Sequence, residues 1–140
     1  MMHVGLVACA ATKLDHPAPA RELYASDLFQ KAAAYCDRTY DRWYVLSAKH
    51  GLVRPDQVIE PYDLRLDDLS PAERRVWGAL VLWDLLLLHQ PDDPQVTRFH
   101  FHAGELYRNE LARRMTGYEF PLRGRRIGEQ LAWYAERLNR

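Results

Sequence analysis

Cysteine is scarce in this chain: Cys9 and Cys36 are the two present in 140 residues, and no CxxC or paired Cys/His spacing accompanies them. A disulfide-stapled scaffold is excluded, and a structural zinc is not expected. An excess of either charge is missing as well, because 19 Lys and Arg stand against 19 Asp and Glu. A protein living by tight, nonspecific duplex binding carries a stronger basic excess than that. The longest apolar stretch is too short to span a bilayer, and the first residues lack the charged start, apolar core and cleavage site of a signal peptide. The expectation is a cytoplasmic protein with free thiols and no membrane partner. Repeats and low-complexity tracts are absent too.

What is present describes an ordinary globular chain. Its length fits a single α/β domain over residues 1–140, long enough to bury a sizeable core without disulfides or metal. Hydrophobic residues make up 48% and charged residues 27%, which leaves little room for disorder away from the termini. Zero net charge hides a modest polarity. Residues 1–97 carry 10 Lys and Arg against 14 Asp and Glu, whereas residues 98–140 carry 9 against 5. Arg123, Arg125 and Arg126 lie together beside Gly124, where they read either as phosphate-binding donors or as a solvated basic loop.

The apolar patterning alternates between strand and helix. Val4 to Ala10, Trp43 to Leu46, Arg98 to His102 and Tyr118 to Pro121 read as strands. A helix capped by Ser26 follows the first, and SPAE at Ser70 to Glu73 starts another, with Ser70 as cap, Pro71 in the first turn and Glu73 closing a capping box. That helix runs to about His89. Further helices cover about Leu106 to Met115 and Ile127 to Asn139, and Lys49 to Leu69 reads as a long loop. Such alternation predicts a three-layer sandwich with a mainly parallel, four-stranded sheet.

In open α/β sheets ligands bind beyond the carboxyl ends of the strands, so the residues there carry the functional reading. Three strand ends offer polar groups: Cys9, Thr12 and Lys13 after the first, Ser47, Lys49 and His50 after the second, and Gly104 with Tyr107 and Arg108 after the third, at a helix start whose free backbone amides could receive an anion. Lys13 reads as a nucleophile or compact cation, or as a solvated loop lysine. Cys9 taken alone reads as a small buried hydrophobe. His50, beside Lys49, suits proton transfer near neutrality. Pro61 fixes the backbone before Tyr62, whose ring can stack on a base, and Asp63, whose carboxylate can orient water or a ring nitrogen. The bland alternative is a proline turn with a packed tyrosine. His89, His100 and His102 invite a metal reading, but no third ligand is placed by the sequence and the strand pattern of Phe99 and Phe101 favours structural use. Neither metal nor cofactor is expected.

With those residues in hand, the chain resembles a bacterial and phage family of unknown function that keeps four blocks. Here they are Cys9 to Lys13, Leu46 to Leu52 (LSAKHGL), Pro61 to Asp63 (PYD) and Ile127 to Tyr134 (IGEQLAWY). More distantly it is similar to the YaaA peroxide-stress proteins, through Lys13, Ser47, Gly51, Pro55, Pro61 and Tyr62. YaaA proteins are linked to DNA binding and protection of DNA, but this chain is shorter and lacks room for their added elements. A fainter likeness runs to the lysine-bearing domain of archaeosine synthase, related to uracil-DNA-glycosylase-like folds, whose PCSxxK block matches Cys9 and Lys13 with Ala8 in place of the proline.

These likenesses imply a uracil-DNA-glycosylase-like fold and a protein directed at a nucleobase, nucleotide or nucleic acid. As an enzyme it would act on a base or its N-glycosidic bond, with Lys13, His50 and Asp63 catalytic and Cys9, Thr12, Ser47, Lys49, Tyr62, Gly104 and Tyr107 holding substrate. Arg123, Arg125 and Arg126 would meet phosphates. The competing reading is a noncatalytic nucleic-acid-binding stress-response module. A nucleotide hydrolase or transferase would share the crevice but need no nucleic-acid track.

Overall fold

Strand β1 (Met2–Ala8) is the axis of the molecule, described here by a computed structural model of residues 1–140. It pairs in parallel with β3 (Arg42–Ser47) on one side and β6 (Thr97–His102) on the other, so that Leu6 faces Tyr44 and Phe101 across the two ladders. Between β1 and β3 the chain forms the short β2 (Ala18–Pro19), a single-turn helix α1 (Ala20–Leu23) and the 13-residue helix α2 (Asp27–Thr39). After β3 come β4 (Gly51–Val53) and β5 (Val58–Ile59), a 3-10 turn at Leu66–Asp68, and α3 (Pro71–Leu88). Helix α4 (Glu105–Ala112), β7 (Tyr118–Glu119) and α5 (Ile127–Leu138) complete the chain.

The main sheet therefore has five strands in the order β4-β3-β1-β6-β7, not the expected four. The extra strand is β4, which folds back antiparallel on β3 through a turn in which Gly51 has φ 72°, a conformation glycine adopts without strain. A second, two-stranded piece joins β2 to β5 and ties the loop before α1 to the segment taken for an unstructured connection. Strand ends differ from expectation by a few residues: β1 stops at Ala8, leaving Cys9 just beyond it, and α4 stops at Ala112.

Strand alternation sorts the core onto two faces. Val7, Trp43 and Val45 pack with Phe29, Ala32 and Cys36 of α2 and Trp133 and Tyr134 of α5. Val4, Leu6, Tyr44, Leu46, Phe99 and Phe101 pack with Trp77, Val81 and Leu85 of α3 and Leu111 of α4. Helices thus cover both sides of a mostly parallel sheet. Gly5 belongs to the close approach of α2 to β1, because a Cβ there would stand 2.7 Å from the Tyr40 ring and 3.0 Å from the Cys36 sulfur. Both expected caps form: Ser26 accepts from the Phe29 N–H, and Ser70 and Glu73 make a full capping box.

The side of β6 opposite Phe99 and Phe101 carries the polar residues and is closed over. His100 and His102 are buried beneath tyrosines. His102 bonds to Tyr40 at 2.7 Å through Nε2 and to Tyr134 at 2.6 Å through Nδ1, while Tyr40 stacks on His100 at 4.5 Å. With both nitrogens engaged by phenols, burial pushes the His102 pKa down to about 3, so the ring is neutral.

Candidate functional site

Beyond the carboxyl ends of β1 and β3 the chain assembles a row of hydroxyls under a lysine. The Tyr62 hydroxyl lies 2.7 Å from that of Tyr24 and 2.7 Å from Ser47 Oγ, and Ser47 Oγ accepts the His50 backbone N–H at 3.0 Å. Ser47 is fully buried as the last residue of β3, and the Trp77 indole N–H donates to its carbonyl at 2.8 Å. Above them the Lys13 ammonium sits 4.4 Å from the centre of the Tyr62 ring and 5.7 Å from that of Tyr24. Local backbone pairing puts it there, because Lys13 bridges to Tyr24 and the Ala25 N–H donates to Thr12 O. The His50 imidazole meets the other side of Tyr62 edge-on, with ring centres 5.4 Å apart.

The electrostatics follow from that burial. Desolvation pushes the Tyr24 hydroxyl up to about 12 and raises the Tyr62 and Tyr107 hydroxyls well above the ordinary phenol range, so all three are neutral hydrogen-bonding groups near pH 7. Burial, and then the neighbouring Lys49 ammonium, lower the pKa of His50 and keep its ring neutral near pH 7. A cation held over two aromatic faces beside neutral hydroxyls suits an electron-rich or anionic group arriving from solvent.

Cys9 forms the other wall. Its Sγ is 3.2 Å from the Tyr107 hydroxyl, and Tyr107 packs edge-on to Trp77 at 5.6 Å. Between this wall and the segment at Leu64 to Asp67 opens a crevice of about 470 Å³, lined by Cys9, Ala10, Lys13, Leu66, Leu106 and Tyr107 among others. Its apolar walls and few polar groups suit a small planar ligand. A second cleft, of about 310 Å³, lies between the ends of β1 and β6 and shares Cys9 and Ala10 with the first.

Several expected site residues do join these crevices and several do not. Lys13, Ser47, His50 and Tyr62 come together, and Cys9 and Tyr107 face Lys13 across the first crevice. Lys49, Thr12 and Asp63 are exposed, and Asp63 forms no hydrogen bond with the cluster. Gly104, Arg123 and Arg125 line the second cleft, and Arg126 instead begins α5. Tyr24 and Trp77 belong to the first site yet carried no sequence signal, since Tyr24 lies in a proline-bearing loop and Trp77 lies inside a helix. Arg108, expected only as part of a helix start that could receive an anion, lines the second cleft. No three His, Cys, Asp or Glu side chains come close enough together to hold a metal ion. No helix is long and apolar enough to cross a membrane.

A family model for a family of unknown function, DUF6884, matches residues 4–136, which contain both crevices and every strand of the sheet except its first two residues. The chain belongs to this family. Within DUF6884 the alternating sheet and its two crevices thus fall inside the matched span. The chain is also similar to the uncharacterized protein YfjM of Bacillus subtilis (strain 168), 40% identical over 43 residues. That match spans 31% of this chain and 29% of the relative. No solved structure matches.

Proposed function

We propose that this DUF6884 chain acts on a nucleobase or its N-glycosidic bond, in DNA, RNA or a nucleotide, on a fold of the uracil-DNA-glycosylase-like kind. The observation that carries the reading is the Lys13 ammonium held over Tyr62, with Ser47 and Tyr24 behind it and Cys9 and Tyr107 opposite. The resemblance of Lys13, Ser47 and Tyr62 to YaaA proteins, and of Cys9 and Lys13 to the archaeosine synthase domain, supports the same residues. In this reading a planar base enters between Lys13 and Tyr107, with its ring against apolar walls and its electron-rich edge toward the ammonium.

As water adds to the sugar carbon and the N-glycosidic bond breaks, Lys13 stabilises negative charge developing on the departing base, which takes up the proton that the water loses. The linked hydroxyls of Tyr62, Ser47 and Tyr24 hold the lysine platform and can relay a proton along bonds of 2.7 Å. His50, neutral at the rim, receives or returns that proton. Asp63 is exposed and forms no bond to the hydroxyl row, so this reading gives it no part in the relay. The protein works in the reducing cytoplasm, where Cys9 stays a thiol.

The exposed Arg123, Arg125 and Arg126 around Gly124 favour a second reading, a nucleic-acid-binding module without chemistry. Base-release and base-exchange assays on damaged and deazaguanine-containing DNA, RNA and nucleotides separate the two. Turnover that disappears in Lys13→Ala and persists in Arg125→Ala/Arg126→Ala supports the enzyme. No turnover on any substrate, with salt-sensitive binding lost in the arginine pair, replaces it with the module.

A further inference from the structure

The cleft between the ends of β1 and β6 holds an unmet demand for negative charge. The one buried side-chain nitrogen or oxygen in the molecule without a hydrogen-bond partner is Arg108 Nε, and Arg108 lines this cleft. Its guanidinium lies 4.9 Å from the centre of the Phe120 ring, and the Arg123 guanidinium lies 5.7 Å from the same ring, so two cations converge on one aromatic ring. Arg125 lines the cleft as well. None of the three forms an ion pair with a carboxylate anywhere in the structure. Holding like charges together beside an unpaired buried N–H costs free energy that an anion in the cleft would offset.

The cleft's place in the topology agrees. The chain leaves β1 toward β3 on one side of the sheet and leaves β6 toward β7 on the other, and ligands of open α/β sheets sit where such departures diverge. Helix α4 starts at this edge with Gly104 as its cap residue, without a side-chain cap and with open space where a Cβ would be, which leaves room at its positive end.

We propose that this cleft binds the terminal phosphate monoester of a nucleotide, through Arg108 and Arg123, while the base lies in the crevice beside Lys13. The two cavities share Cys9 and Ala10 in their walls, and in this proposal one ligand straddles the end of β1. A dianionic monoester compensates two guanidiniums where a backbone diester compensates one. The placement of the base rests on the function proposed above, whereas the phosphate subsite stands on the cleft alone.

The test is calorimetric titration of the full chain with inorganic phosphate, a nucleoside, its 5′-monophosphate, and an oligonucleotide with and without a 5′-phosphate. The monophosphate should bind at least about tenfold more tightly than the nucleoside, a difference of about 1.4 kcal/mol. Arg108→Met and Arg123→Met should each erase that advantage while leaving nucleoside binding unchanged. Arg123 is exposed, so its variant reports on the ligand even if Arg108→Met perturbs folding. Equal binding of nucleoside and monophosphate, or indifference to both substitutions, overturns the proposal. Arginine-dependent binding of the 5′-hydroxyl oligonucleotide as tight as its phosphorylated form overturns the monoester in favour of a backbone diester. If arginine-dependent binding of inorganic phosphate and of the monophosphate survives while no nucleoside binds, the subsite stands and the nucleobase reading fails.

Discussion

Tyr62 is the residue on which the candidate site depends, because its hydroxyl bonds two others that are themselves buried. Tyr62→Phe keeps the ring under Lys13 but leaves Tyr24 and Ser47 without that partner. An unsatisfied buried polar group costs about 1–3 kcal/mol, so urea denaturation should report a loss in that range. A change within about 0.5 kcal/mol would mean that water replaces the phenol, and that the hydroxyl row is not a sealed relay. His102 sets a second expectation at this scale. Its pKa in the fold, about 3, lies below its ordinary value of 6.5, so the unfolded chain takes up a proton first as pH falls. The stability from keeping His102 neutral is complete above pH 6.5 and is lost as pH drops toward 3, by about 1.4 kcal/mol per pH unit. Thermal melts across that window should show a steeper acid loss in the wild type than in His102→Gln. Parallel curves would contradict the buried, neutral ring.

At the scale of elements, β1 carries a sharp packing constraint. A Cβ at Gly5 would stand 2.7 Å from the Tyr40 ring, closer than atoms pack, so Gly5→Ala should cost about 1–3 kcal/mol by forcing α2 and its tyrosine away from the sheet. In a Tyr40→Ala background that cost should shrink, and a double-mutant cycle showing simple additivity would refute the contact. Which elements form was largely legible in the residues. The β1, β3 and β6 runs, the Ser26 and Ser70 caps and the order of strands and helices all carry local signals that the fold keeps. Strand β4 did not, because its three residues, Gly51 to Val53, are too short for a period to register, and it gains its place from pairing with β3 rather than from propensity. The burial of His100 and His102 was hidden for a related reason: alternation tells which side a residue takes, and only the helices α2 and α5 decide that this side is closed.

For the whole molecule, the central fact is convergence at one edge of the sheet. Lys13, Ser47, His50 and Tyr62, separated by up to 49 positions, meet because β1 and β3 run parallel and end together. Parallel strand ends are readable from sequence, which is why that cluster was legible. Asp63 and Lys49 were not separable from it, because loop direction after a strand end depends on tertiary contacts that no periodicity encodes. Arg108 was legible only as part of a helix start able to receive an anion, and the β1–β6 cleft supplies the surroundings that the sequence does not encode. The claim that the Lys13 crevice holds a nucleobase is tested most directly by amide NMR spectra of the full chain titrated with free nucleobases and nucleosides, including a deazaguanine. Binding in the proposed place shifts Lys13, Leu66 and Tyr107 in a saturable manner, and the shifts vanish in Lys13→Ala. Saturable shifts centred away from Lys13, or no shift with any base, would contradict it.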